Sequence, residues 1–470
     1  MIEKKRSNAL DALRGYAILT MVLSGAVADT LPRWMYHAQT PPPDHLFNPA
    51  IYGISWVDLV FPFFLFAMGA AMPFSLGQKA EKGIPLRKLS LDIVLRGLQL
   101  AFFAIFIEHM YSYSLSNPQD YRAWVTTLFA FVLLFPMFMR LPWKMAGWVH
   151  STVKIGAYAL AVILLLTSRY ADRRVFDLHY SNIIILLLAN MAIFGSLIYL
   201  FTIQKPWIRI AILPFIMAIL LSSTKDFAGS WQKALFDFTP FPWLYQFTFL
   251  KYLFIVIPGT IAGEYVRDWF LHSDATRSAG SETRKAITLL VICTLLITGN
   301  LYGLFTRHLV VNLFATILLL GVGLWITYQA STSFIALWKK LFIAGSFLLL
   351  LGLFFEAFEG GIRKDYATFS YFFVTSGLAF MALIAFSVLC DYFKWYRTTS
   401  FLTLSGQNPM IAYVGADMVL YPLFNILGLL PLFFKLCANG WWGLLQGVVI
   451  TALVTLITMF FSKIKWFWRT

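Results

Sequence analysis

Charge is scarce in this chain. Of its 470 residues only 13% are Asp, Glu, Lys or Arg, where ordinary soluble domains carry roughly 25%. Long polar stretches are missing too: the gaps between apolar runs reach only about 20 residues, too short for a soluble domain. Cysteine is limited to Cys293, Cys390 and Cys437. Their spacing excludes a thiolate metal site, and their apolar surroundings suit buried, reduced thiols. The net charge of +15 does not amount to a nucleic-acid surface, because the basic residues are scattered over short loops and form no stripe with interleaved aromatics. No internal repeat is visible, direct or inverted, which counts against the commonest secondary-transporter architectures.

What is present is hydrophobic surface: 59% of the residues are hydrophobic and the mean hydropathy is +0.72. Apolar stretches of about 20 residues recur from Gly15 to Phe461, each long enough to cross a hydrocarbon core of about 30 Å as a helix. The expected fold is an all-α polytopic integral membrane protein, a bundle of about 10–14 transmembrane helices with about fourteen candidate segments. With the N-terminus inside, roughly two thirds of the 37 basic residues fall on inner segments, which predicts that both termini are cytoplasmic. Lys4, Lys5 and Arg6, an apolar run and Ala26-Val27-Ala28 have the form of a secretory signal; the segment is read here as a retained first transmembrane helix. The chain is expected to be one domain, 1–470, with a loop at 32–54 on the outer face, the candidate for chemistry, in its 1–270 part and further helices in 271–470. If the source is bacterial, the expected location is the inner (cytoplasmic) membrane.

Chemistry concentrates around the second span. Asp58 lies just inside it, and an acid in a span usually faces a bundle interior or a wet cavity. The blander reading is an interfacial acid at a helix start, where Asp is ordinary. Pro62 has no N–H to give to the carbonyl four residues earlier, which is that of Asp58 itself. On the loop before it, Pro41-Pro42-Pro43-Asp44 favours a stiff extended arm, which would hold His45 over the acid; His37 is the other loop histidine. Arg96, Gln99, Glu108, His109, Lys251, Glu264, Asn300, Asn312, Glu356, Glu359, Asn408 and Asp417 also fall within spans. Together they imply a polar cavity through the bundle, although each alone fits an interhelical contact.

Several stretches together resemble the transmembrane acyltransferases related to heparan-alpha-glucosaminide N-acetyltransferase, which include bacterial members. They are "ALDALRGYAILTMVL" in the first span, "GISWVDLVFPFFLFAMGAAMPFSL" in the second, "IVIPGTIAGEYVRDW" near the eighth, and "ATFSYFFVTSGLAF" and "LSGQNPMIAYV" toward the end. The resemblance implies acetyl transfer from cytoplasmic acetyl-CoA, as co-substrate and without a metal, to an amino sugar or glycan fragment on the other face. It also implies a catalytic histidine shortly before the Asp-Leu-Val-Phe-Pro stretch, best matched by His45. In relatives that histidine is closer to the aspartate, so residues 47–52 read as a local insertion and His37 is a rival. An asparagine that can follow the first span's core in that family is replaced here by Ser24 or Gly25.

On this reading His45 takes the acceptor's proton, or is itself acetylated, while Asp58 orients the imidazole. Arg14, Arg96 and Arg267 are the candidates for the phosphates of acetyl-CoA, with Gln407 and Asn408 lining the same channel. Asp44, Asn48, Glu108 and Glu264 are the candidates for acceptor contacts. Beyond acetyl-CoA, the acceptor and the lipid bilayer, a homodimer stays open as an assembly. The alternative is a proton-coupled transporter of sugars or lipid-linked intermediates, in which Asp58, Glu108 and His45 would relay protons or hold cargo.

Overall fold

The structure is a computed structural model and describes residues 7–139, 147–223, 228–272, 282–329, 332–437 and 440–469. Lys4, Lys5 and Arg6 therefore lie outside the described residues. Among the described residues twelve helices are long and apolar enough to cross a membrane. Two more complete the expected set. Helix α1, Asn8–Ala26, carries Asp11 and Arg14 and starts earlier than its apolar run, because the Ser7 side chain caps it by accepting the Leu10 N–H. The spans α2 (Trp56–Glu81), α3 (Leu86–Met110), α4 (Tyr121–Phe138), α5 (Gly147–Thr167) and α6 (Ile183–Phe201) follow. Helix α7, Pro206–Leu221, is apolar but has only 16 residues. Then come α8 (Phe247–His272), α9 (Thr283–Thr306), α10 (Leu309–Thr327), α11 (Ser333–Phe358) and α12 (Phe369–Tyr392). Helix α13, Tyr396–Gln407, is a polar helix that the hydropathy pattern did not announce. The spans α14 (Pro409–Ile426) and α15 (Trp442–Lys463) end the bundle.

Lipid tails are as apolar as leucine, so helices in a bilayer associate through close packing and polar contacts. Glycines supply the close approach here. In α8, Gly259 and Gly263 lie one turn apart, and a Cβ on them would come within 2.3 Å of the Phe66 carbonyl oxygen and 2.2 Å of the Ala70 carbonyl oxygen. The pairing runs in the same order along both helices, so α2 and α8 are parallel and in backbone contact. Gly15 meets Leu402 and Gly406 meets Asp11 in the same way, which seats α13 antiparallel against the start of α1.

These contacts place the start of α1 and the end of α15, which lead to the two termini, on one face. The Ser462 hydroxyl donates to the Leu404 carbonyl at 3.0 Å, at the end of α13 that meets the start of α1. At the other face Ala28, just past α1, donates to the Gly443 carbonyl at the start of α15. Helix α2 begins on that opposite face and returns to the face of the termini.

A methyl group at position 263 has backbone, not a flexible side chain, in its way. Gly263→Ala is expected to cost about 1–3 kcal/mol and to lower the melting temperature of the detergent-solubilised protein. Gly25→Ala, where a Cβ meets nothing within 4 Å, serves as the control that leaves it unchanged.

Candidate functional site

Helix α2 opens with a capping box. The Ser55 side chain accepts the Val57 N–H, and Asp58 Oδ2 accepts the Ser55 N–H at 2.9 Å, so two otherwise unpaired helix-end donors are satisfied reciprocally. Oδ2 also accepts the Ala38 N–H at 3.2 Å. The interfacial role weighed from sequence is thus present, yet it uses only one carboxylate oxygen. Oδ1 faces His37, whose Nδ1 lies 2.6 Å away. A carboxylate only accepts, so Nδ1 carries the hydrogen and Nε2 is left as the acceptor of a neutral ring. The Asp58 side chain is 2% exposed and that of His37 38%: a buried acid holds a reachable imidazole.

The histidine expected at this position was His45, and the structure corrects that. The proline run turns instead of extending: the His45 N–H returns to the Pro41 carbonyl at 3.1 Å, and His45 itself has φ +50°. Its ring stands edge-on to Tyr36, and its Nε2 lies 3.3 Å from the Asp29 carbonyl oxygen. His37, further from Asp58 in sequence, reaches it because Met35, Tyr36 and Ala38 are buried between the helix ends and the Tyr36 carbonyl accepts the Ser55 hydroxyl at 2.6 Å.

The loop between α11 and α12 completes the site. Lys364 Nζ lies 3.1 Å from Nδ1 and 3.3 Å from Nε2 of His37. The lysine is positioned by its neighbour: the Gln39 amide donates to the Asp365 carbonyl, and Gln39 Oε1 accepts the Asp365 N–H at 2.8 Å. The loop is pinned at its other end by Glu359, which accepts the N–H groups of Phe369 and Ser370 at the start of α12. Residues 47–53 dock against it, with Gly53 donating to the Ile362 carbonyl and Arg363 to the Pro49 carbonyl. The carbonyl that Pro62 leaves unpaired in α2 accepts the Tyr371 hydroxyl at 2.8 Å. Sequence reasoning missed Lys364, Gln39 and Tyr371; the one signal for Lys364 was a basic pair, Arg363-Lys364, on a face otherwise poor in positive charge.

A cavity of ≈ 290 Å³ lies among α1, α2, α3, α6 and α14. Along α2 it runs from Phe64 to Leu76, about 18 Å at helical rise, and it begins about 9 Å along the helix from Asp58. Its lining is mostly Ile, Leu, Phe and Met, but both Arg14 and Arg96 border it. Arg14 donates to the carbonyls of Gly406 and Ala67. The Arg96 guanidinium makes no hydrogen bond or close ion pair among the described residues, and Asp92, one turn earlier and its nearest acidic influence, is shared with Lys79 at 3.7 Å. An unpaired cation inside a membrane helix is expensive unless a cavity serves it.

The remaining candidates are placed elsewhere. Arg267 is ion-paired with Glu81 at the face of the termini. Asn408 holds the chain end through the Trp466 carbonyl and Trp468 N–H, and Gln407 ends α13 outside the cavity lining. Glu264 pairs at 2.7 Å with the fully buried Arg209, which also donates to Thr260. Glu108 accepts from Tyr113 and from Asn182, whose side-chain oxygen accepts the Tyr413 hydroxyl; Tyr413 borders the cavity. Asp44 and Asn48 sit on the exposed loop, where Asn48 Oδ1 accepts the Ala50 N–H. Cys293, Cys390 and Cys437 are buried and free.

Residues 6–266 match a family described as a domain of unknown function (DUF5009). The matched region covers more than half of the chain and holds His37, Asp58, Arg14 and Arg96. No curated protein matches the chain.

Gln39→Ala removes both hydrogen bonds to Asp365. Hydrogen exchange at the amides of residues 363–366 is expected to accelerate by about tenfold, the loss of roughly one net hydrogen bond, with protection in α2 unchanged.

Proposed function

We propose that this chain, which belongs to the DUF5009 family, is a membrane-embedded acetyltransferase. It would move an acetyl group from cytoplasmic acetyl-CoA to an amino sugar or glycan fragment on the opposite face of the membrane. The observation that carries this reading is the contact of His37 Nδ1 with Asp58 Oδ1 at 2.6 Å. It leaves Nε2 of a partly exposed ring as proton acceptor, on the loop that leads into the helix whose other half borders a cavity lined by Arg14 and Arg96.

Each residue then has a task. His37 Nε2 accepts the proton of the attacking amine, and Asp58 keeps the ring in the tautomer that makes this possible and stabilises the imidazolium that forms. As the acceptor nitrogen bonds to the acetyl carbon, the carbon–sulfur bond breaks and the proton held on His37 passes to the leaving thiolate. Lys364 supplies positive charge beside the carbonyl oxygen as negative charge develops there. Arg96, with Arg14, meets the phosphates of acetyl-CoA entering from the face of the termini, which the distribution of basic residues assigns to the cytoplasm.

The second reading, a proton-coupled transporter, is favoured by one arrangement: the Glu108–Asn182–Tyr413 chain of hydrogen bonds that ends at the cavity. Uptake of unmodified sugar by proteoliposomes without acetyl-CoA would select it.

In detergent, with labelled acetyl-CoA and glucosamine, His37→Ala is expected to lower transfer at least about 10³-fold, as loss of a general base does. His45→Ala should remain within a few-fold of the parent. The opposite ranking contradicts the assignment of His37. Arg96→Gln is expected to raise the KM for acetyl-CoA about tenfold with little change in kcat, the behaviour of a ground-state phosphate contact.

A further inference from the structure

A second polar concavity, of ≈ 320 Å³, opens on the same face as His37, between the end of α3 and the segment after α5. Its floor is rigid. His109 is buried, its Nδ1 lies 2.8 Å from the Ile105 carbonyl oxygen and its Nε2 accepts the Asp177 N–H at 3.4 Å, so both ring nitrogens are used. Tyr170 and Tyr180 stand edge-on to it, each with centroids 5.2 Å away. The Tyr180 hydroxyl shares a hydrogen with Ser114 Oγ at 2.9 Å, which leaves the pair one further O–H to give.

The rim carries the charge. Arg174 lies over the Tyr180 ring at 4.8 Å and faces Asp172 Oδ2 at 3.9 Å. Arg173 has no hydrogen-bond or ion-pair partner among the described residues. It and Asp172 are adjacent non-glycine residues that both have φ +56°, a left-handed conformation uncommon for such residues that recurs at ligand clamps. Asp177 accepts from the backbone and ring of His179, both through Oδ1, and its Oδ2 is left for a ligand. An exposed arginine pair beside aromatics suits any anion at a membrane surface. The Asp177 carboxylate narrows it, since it can only accept and so repels a phosphate headgroup but matches the hydroxyls of a sugar, to which the Ser114–Tyr180 pair can also donate.

We propose that this concavity binds a sugar acid of the hexuronate class. The carboxylate lies on Arg173 with Arg174 beside it, the ring packs against Tyr170, and the hydroxyls meet Asp177 and the Ser114–Tyr180 pair. The site shares no residue with His37, Asp58 or the cavity bordered by Arg14 and Arg96, so it stands whether or not the protein transfers acetyl groups.

Saturation-transfer NMR on the full chain in phosphatidylcholine nanodiscs, with glucuronate, glucose and inorganic phosphate as probes, tests this. The expected result is saturation transfer to glucuronate well above that to glucose, weak competition by phosphate, and about tenfold weaker glucuronate binding in Arg173→Gln, with partial recovery in Arg173→Lys. Equal transfer to glucose and glucuronate, or indifference to Arg173→Gln with an unchanged melting temperature, overturns the proposal. Full displacement by phosphate reduces the site to a simple anion site. Loss of glucuronate binding in phosphatidylglycerol nanodiscs reassigns it to lipid headgroups, and either result also overturns the proposal.

Discussion

A carboxylate with two tasks organises this protein. Asp58 is buried at the first turn of α2, and a buried charge is tolerated only when it is paired and hydrogen-bonded. Oδ2 meets that demand with backbone N–H groups from Ser55 and Ala38, which fixes the helix start and the loop before it. Oδ1 then has one partner, the His37 ring. The cap holds the acid still, and the acid holds the imidazole; a looser helix start would leave the histidine without a defined tautomer or direction.

The surroundings follow from what a bilayer permits. Backbone groups there need partners within the protein, so the carbonyl that Pro62 leaves unpaired recruits Tyr371 from α12, tying the site to a helix more than 300 residues away in sequence. The parallel α2–α8 contact is close enough to be made by glycine and backbone alone, and it fixes one flank of α2. The other flank faces the cavity, where methionine and branched side chains leave space and Arg14 and Arg96 put positive charge into it. One helix thus connects a histidine at one face with a cation-bearing cavity toward the other.

Local physical chemistry read well from the sequence. Hydropathy located the membrane segments, Asp58 stood out as a charge in a span, and the proline rule identified its own carbonyl as the orphan. Arg14 and Arg96 were legible as cations in the inner half of the bundle, and the cavity that both border was not. What failed were inferences that needed distant partners. His45 was preferred because it is nearer to Asp58 along the chain, whereas a turn at the prolines carries it away and buried Met35, Tyr36 and Ala38 bring His37 in. Glu264 looked available for a substrate because nothing in the pattern placed Arg209, 55 residues earlier, at zero exposure against it. Gln39 and Lys364 were missed for the same reason: their contacts join loops separated by 326 and 327 residues.

The central claim is that Asp58 fixes His37 with hydrogen on Nδ1 and Nε2 as the accepting nitrogen, beside Lys364. Magic-angle-spinning NMR of ¹⁵N-histidine-labelled protein in lipid bilayers tests it most directly. The account predicts one imidazole in the Nδ1–H form with a strongly downfield proton, lost in Asp58→Asn and in His37→Gln but retained in His45→Gln. A His37 ring found with its hydrogen on Nε2, or a spectrum unchanged by Asp58→Asn, would contradict it.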